Sequence, residues 1–387
     1  MLDRADATTG QLLHLIRSGS ALTRGDLVRQ SGLGRSTVSQ RVDRMLADGL
    51  IRDRGEAATG GRPAALLEFN PRAGVVLVAD LGATHARLAV TDLSGQPLAQ
   101  RPIEADIASG PEPILGTVES IFDEMLDVAT GGGLVLRGIG VGVPGPVEFA
   151  AGRAVVPPIM PGWDGYPIRD RLSDRFGVPA LVDNDVNIMA VGEHWMLETP
   201  VEDLLFLKVG TGIGSGLILG GHIHRGAQGT AGDLGHIRVG SDALCRCGNT
   251  GCLEAQAGGA ALAAELAAAG YSTTNSRDVI ELTRSGNRDA VMAVRRAGRL
   301  IGEVLAATVN LLNPAVIMVG GDLALAGEHL IAGIRENVYR RSTALSTSRL
   351  QILTSRLGDR AGITGAAAMA IEHLLAPNSP EVAHVAS

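Results

Sequence analysis

The chain has 387 residues, 45% of them hydrophobic and 19% charged, enough for two or three domains with real cores and too apolar for a disordered polypeptide. No stretch reaches the roughly 18 uncharged apolar residues of a spanning helix, and Asp3, Arg4 and Asp6 stand where a signal peptide would be apolar, so a cytoplasmic protein with no membrane partner is expected. Of the 34 basic residues only Lys208 is a lysine, which excludes a Walker-A loop and a catalytic lysine elsewhere.

Charge is unevenly spread. Residues 1–70 carry ten arginines against eight carboxylates while the whole chain stands at −7, so a mildly basic head precedes an acidic body and only the head suits an anionic polymer. In that head, Leu12, Leu13 and Ile16 give residues 10–17 an inward helical face, and Thr23 with Asp26 makes a capping pair for a second helix ending near Ser31. Gly32-Leu33-Gly34 turns the chain. A third helix, from about Arg35 to Asp48, aligns Val38, Val42, Met45 and Leu46 on one apolar face and leaves Arg35, Ser36, Thr37, Ser39, Gln40 and Arg44 as candidate DNA contacts. This is a helix-turn-helix pattern whose polar face can enter a major groove. Residues 50–54 and 66–69 read as a two-stranded wing around Gly60-Gly61-Arg62-Pro63, where Arg62 can reach a phosphate or a narrow minor groove. The alternative, a solvated three-helix module for protein contacts, predicts no salt-dependent retention on DNA.

In the body, an apolar run over 74–81 ends in Asp80-Leu81-Gly82-Ala83-Thr84, and alternation resumes over 87–92: strand, glycine turn, strand. The same grammar returns at 204–209, Gly210-Thr211-Gly212-Ile213-Gly214-Ser215-Gly216 and 217–219, which suggests two related lobes facing one cleft. Such turns offer backbone N–H groups and a threonine hydroxyl to phosphate oxygens, and Asp80 can orient a magnesium ion's water shell. Between the lobes, Asp185 falls at a strand-to-helix junction, where its carboxylate can accept a sugar hydroxyl's proton while Asn184 binds a neighbouring hydroxyl; the competing reading is an aspartate that caps the helix.

All three cysteines, Cys245, Cys247 and Cys252, fall within eight residues, and an odd, clustered count points to a metal and away from a disulfide framework. With His236 they make a Cys3His set, a closed tetrahedral zinc shell that would clamp the loop carrying Asp233, His236 and Glu254.

Gly235-His236 followed by CxCGxxGCxE from Cys245 to Glu254, together with DxGxT at Asp80, VPGPV over 143–147, NDxN over 184–187 and the segment 310–321, make residues 71 to about 376 resemble the ROK family of repressors, unnamed reading frames and sugar kinases. The head resembles that of the family's winged-helix repressors. The resemblance implies an α/β fold, an actin-like ATPase (ribonuclease H-like) body of two lobes hinged around a cleft, preceded by a winged helix-turn-helix domain. It places the domains at 1–70, at 71–185 plus about 366–387, and at 186–365, the last holding the zinc loop. It assigns zinc to His236, Cys245, Cys247 and Cys252, sugar hydroxyls to Asn184, Asp185, Asp233, His236 and Glu254, and the base role to Asp185 in a kinase. Nucleotide groups would fall at Asp80, Gly82, Thr84, Thr211, Gly212, Gly320 and Gly321.

Three positions depart from the family pattern. Ala83 replaces a glycine, at a cost of roughly 1–2 kcal/mol if positive φ is required there; Asp322 replaces a third glycine and would repel phosphate; and Asp233 is one methylene shorter than the usual glutamate. Sugar groups are retained and nucleotide groups eroded, as befits a sensor. The expected protein is a sugar-responsive transcriptional repressor with structural Zn2+, a homodimer or dimer of dimers released from an inverted-repeat DNA operator by a monosaccharide or derivative. Its rival is an ATP- and Mg2+-dependent sugar kinase carrying a DNA-binding head.

Overall fold

A computed structural model describes residues 9–57, 64–199 and 201–376. Arg62 and its neighbouring glycines lie outside the described residues. The head consists of α1 (Thr9–Arg17), α2 (Arg24–Ser31), α3 (Arg35–Ala47) and the antiparallel strands β1 (Ile51–Ala57) and β2 (Ala64–Phe69). Its start signals act as their chemistry dictates. The Thr23 hydroxyl accepts from the Asp26 N–H, the Asp26 carboxylate accepts from the Thr23 N–H, and these bonds hold the Asp26 carboxyl below its ordinary range. Gly32, at φ 72°, ends α2 in the left-handed conformation. Leu12, Leu13, Leu27, Val38, Val42 and Met45 are fully buried.

The body is a structural duplication. The first sheet is built from β3 (Val75–Leu81), β4 (His85–Asp92), β5 (Pro97–Glu104), β6 (Leu136–Val143) and, after the short pair β7 (Val147–Glu148) and β8 (Arg153–Ala154), β9 (Ala180–Asn184), in the order β5-β4-β3-β6-β9. The second uses β10 (Leu204–Val209), β11 (Ile213–Leu219), β12 (His222–Ile223), β13 (Val316–Gly320) and β14 (Gln351–Thr354), in the order β12-β11-β10-β13-β14. In each, three antiparallel strands are extended by two parallel ones. The correspondence reaches single residues at the cleft: Asp80 pairs with Gly142 as Lys208 pairs with Gly320.

Helices α4 (Pro111–Gly131) and α5 (Ile168–Phe176) cover the outer face of the first sheet, and α6 (Asp185–Trp195) covers the inner face of the second. Helices α7 (Glu254–Ala257), α8 (Gly259–Ala268), α9 (Ser276–Arg284), α10 (Arg288–Leu312) and α11 (Glu328–Arg341) build the outer side of the second lobe, α12 (Ala344–Thr347) is a single turn, and α13 (Ala361–Leu374) returns to the first sheet. Helices α6 and α13 pack against each other and so join the lobes. They meet backbone to backbone: a Cβ on Gly365 would lie 1.6 Å from the Ile188 carbonyl oxygen, and one on Gly192 2.3 Å from that of Ala361. Gly365→Ala is expected to lower the unfolding free energy in urea by about 1–3 kcal/mol, because the obstacle is backbone that cannot change rotamer.

The head is not a separate bead. Its buried side chains share one apolar cluster with Val76, Val78, Ile188, Ala366, Ala370 and Leu374 of the body. Arg17 ends α1 with its guanidinium 4.9 Å above the Trp195 ring at the end of α6 and ion-pairs with Glu372 of α13. Among the described residues no helix is long and apolar enough to cross a membrane.

Candidate functional site

Between the sheets lies a cleft of about 1150 Å³. Asp80, Gly82, Thr84, His85 and Arg87 line it from the first lobe, Asn184 and Asp185 from the junction, and Lys208, Thr211, Gly212, Asp233, His236, Glu254, Gly320 and Gly321 from the second. All the sugar and nucleotide positions expected from the sequence therefore face one space.

The junction differs from its sequence reading in one respect. The cap of α6 is Asn184: its Oδ1 accepts from the N–H groups of Val186 (2.9 Å) and Asn187 (3.2 Å), and its Nδ2 donates to the Gly145 carbonyl (3.0 Å). One Nδ2 hydrogen is left for a sugar. Asp185, freed from capping, is buried, and its Oδ2 accepts from Lys208 Nζ at 2.5 Å.

Lys208 is the functional residue that sequence reasoning missed. Strand alternation explains its place: Leu205, Leu207 and Val209 enter the core of the outer helices, so Leu204, Phe206 and Lys208 face α6. Burial alone would drive off its proton, but the adjacent Asp185 and Asp80 carboxylates outweigh that and hold its pKa above the ordinary lysine value. Desolvation pushes the Asp80 carboxyl up to about 7 against the pull of Lys208.

Two more contacts cross between elements far apart in sequence. Arg225 Nε meets Asp183 Oδ2 at 2.7 Å while its guanidinium lies 3.7 Å from the Phe149 ring centroid, tying the second lobe's loop to the first. Glu193 of α6 accepts from the Ser355 hydroxyl and from the N–H groups of Arg356 and Leu357, fixing the loop beyond β14. On the cleft wall Val156 sits at φ 43°, a strained setting for a β-branched residue, with its N–H bonded to Asp164 Oδ1 at 2.8 Å.

On the opposite wall, Glu254 Oε2 accepts from the Ile213 N–H at 2.9 Å, which leaves its other oxygen for a ligand. Asp233 Oδ1 is 4.0 Å from His236 Nε2. The ligand atoms of His236, Cys245, Cys247 and Cys252 all lie within 4.8 Å of one another, a cluster that could hold a metal ion.

At the nucleotide positions, Gly321 adopts φ 81°, and Asp322 Oδ2 accepts from the Ser276 hydroxyl at 2.9 Å. Ala83 is not among the residues at positive φ, so its Cβ carries no backbone strain; the conditional cost attached to that departure does not arise.

In the head, Arg35, Ser36, Gln40 and Arg44 are exposed on α3 and Thr37 is half-buried. Ser39 is engaged: its hydroxyl accepts from Arg24 Nη1 at 2.7 Å, a brace between α2 and α3. Arg44 Nε lies 3.2 Å from Asp48 Oδ2, an exposed pair one turn apart.

Residues 76–373 match the ROK family and residues 3–63 the MarR family. The xylose repressor of Caldicellulosiruptor bescii is 30% identical over 381 residues, covering 94% of this chain and 95% of that one. Among solved structures, a ROK family transcriptional regulator, a homolog of the E. coli MLC protein, superposes with a TM-score of 0.85 over 99% of both chains at 24% identity. A ROK family glucokinase from Streptomyces griseus, in complex with glucose and AMPPNP, superposes with a TM-score of 0.66 at 28% identity, covering 77% of this chain and 99% of that one.

Proposed function

The chain belongs to the ROK family, and from that premise we propose that it is a DNA-binding repressor whose affinity for its operator is set by a monosaccharide in the cleft. The observation that carries this reading is the apolar cluster shared by the winged head and the helices that join the lobes, with Arg17 touching both α6 and α13. A sugar that draws the lobes together acts on those helices, and the head rests on them. The sugar can release DNA only if it prefers the lobe arrangement whose heads mismatch the operator, and by linkage DNA must weaken sugar binding equally. Paired heads on half-sites one helical turn or a multiple apart gain affinity that one head lacks, so the working unit is a dimer.

The effector is an uncharged sugar, an aldopentose such as xylose in the first instance. The similarity to a xylose repressor over nearly the whole chain supports this, as do Asp185, Asp233 and Glu254, whose carboxylates can accept hydrogen bonds from hydroxyls and repel a phosphate. The proposed domain division remains 1–70, 71–185 plus about 366–387, and 186–365, and the packing of α13, Ala361–Leu374, on the first sheet supports the return of the chain to the first lobe.

Zinc suits the cysteine cluster. Cys245 Sγ lies 3.5 Å from His236 Nδ1 and Cys247 Sγ 3.8 Å from Cys252 Sγ, and a tetrahedral zinc with bonds of about 2.3 Å to sulfur and about 2.0 Å to nitrogen sets its ligands roughly that far apart. Bound there, zinc supplies a cross-link and no catalysis. With Nδ1 so engaged, His236 keeps Nε2 for a sugar hydroxyl or Asp233.

Selecting an operator from random duplexes, then titrating it by fluorescence anisotropy with and without xylose and other sugars, tests the reading. Arg44→Ala is expected to weaken operator binding and reduce the salt slope by about 1, with sugar affinity unchanged. Arg17→Ala is expected to keep both affinities and shrink the factor by which each ligand weakens the other, measured as xylose affinity with and without operator.

A further inference from the structure

The lobe duplication gives Lys208, the only lysine of the chain, the position in its sheet that Asp80 has in the other: Lys208 pairs with Gly320 as Asp80 pairs with Gly142. Both line the cleft, and Lys208 Nζ meets Asp185 Oδ2 at 2.5 Å. We propose that Lys208 is a built-in cation, filling the place between Asp80 and Asp185 that a nucleotide's divalent metal would need, so that the cleft takes its sugar without metal or nucleotide. This rests on the sugar-cleft reading above and adds to it what the cleft refuses.

Magnesium keeps most of its water shell and sits among oxygens in near-ideal octahedral geometry. Here a fixed ammonium is already bonded to one of the two carboxylates that would orient that shell, and it repels a second cation. The residues present therefore do not fit a magnesium nucleotide. Asp322 adds to the misfit: its carboxylate stands directly after Gly321 at the cleft, bonded to Ser276, where negative charge opposes phosphate.

The same contact divides the work of Asp185. Its Oδ2 is occupied by the ammonium, and Oδ1 remains to accept a hydrogen bond from a sugar hydroxyl. An oxygen held by an ammonium is a poor collector of a further proton, so recognition survives where deprotonation of the hydroxyl does not. The side chains of Asp185 and Lys208 are 6% and 27% exposed, so bulk water does little to screen the pair.

The test uses the full-length, zinc-replete protein and Mn2+ as the probe, followed by electron paramagnetic resonance with and without ATP, alongside calorimetric xylose titrations with and without Mg2+. Wild type is expected to bind no Mn2+ in either condition and to hold xylose with the same affinity, within twofold, whether or not Mg2+ and ATP are present. Lys208→Met, which keeps the length of the side chain and removes the charge, is expected to gain one Mn2+ site and a Mg2+-dependent xylose affinity, while Lys208→Arg stays like wild type in its Mn2+ response. Wild type that takes up Mn2+ with ATP, or a folded Lys208→Met that gains no divalent response, would overturn the proposal. If Lys208→Met does not fold, the wild-type arms decide alone. Failure of every sugar to bind would sink the sugar reading, and the Mn2+ arms would still judge the role of Lys208.

Discussion

Cys247→Ser is expected to leave a folded, DNA-binding protein that no longer responds to sugar. Between Ile237 and Thr250 only Cys245 is buried, and the segment is pinned by two isolated bridges, Arg238 to Cys252 and Leu244 to Thr250. Such a stretch buries too little to order itself, so a metal held by His236 and the three cysteines would be its main restraint. Structural zinc contributes roughly 10–16 kcal/mol of apparent binding free energy in small domains, and loss of one thiolate forfeits much of it. The segment's ends carry His236 and Glu254 into the cleft. Metal analysis should therefore show zinc lost, calorimetry should show xylose binding fall below detection, and operator affinity should stay near wild type, since the head core shares nothing with the loop. Unchanged zinc content would refute the ligand assignment.

Asp185→Asn is the second large effect. The amide keeps the shape of the side chain and loses its charge, so a charge-assisted bond to a sugar hydroxyl becomes a neutral one. At about 1.5–3 kcal/mol for a hydrogen bond to a charged group, xylose should bind roughly 10- to 100-fold more weakly, and the operator should stay occupied at sugar concentrations that release wild type. The substitution also leaves the buried Lys208 with one carboxylate neighbour fewer, so a lower melting temperature accompanies the loss. Unaltered xylose affinity in a folded Asp185→Asn protein would remove Asp185 from the sugar site. Xylose phosphorylation by wild type, abolished in this variant, would restore the kinase reading.

The sequence was most legible where chemistry is local. The Thr23–Asp26 pair, the 3.6-residue spacing of Val38, Val42 and Met45, and the two strand-turn-strand runs each depend on neighbours within a few residues, and each forms as its pattern dictates. The cluster of His236 with the three cysteines was legible because its members are close in sequence. Contacts closed over long loops were not. Glu193 reaches Ser355, Arg225 reaches Asp183, and Arg17 reaches Glu372; no periodicity in one segment encodes its partner in another. Ser39 has the composition of a base-reading face, yet Arg24, fifteen residues earlier, claims its hydroxyl. Lys208 lies between these cases. Strand alternation over Leu204, Phe206 and Lys208 was a signal that could have set the lone lysine on one face of its strand, but which face turns to α6, and that Asp185 stands there, only the fold shows.

Sugar in the cleft and DNA on the head are expected to bind in opposition through α6 and α13. The most direct test of this opposition is the anisotropy of a labelled operator duplex with the zinc-replete protein, titrated with xylose and a panel of other neutral monosaccharides at fixed salt. The expected result is that at least one sugar raises the operator dissociation constant tenfold or more, and that saturating operator weakens that sugar by the same factor. An operator affinity that no sugar alters, in protein that calorimetry shows to bind one of them, would contradict it.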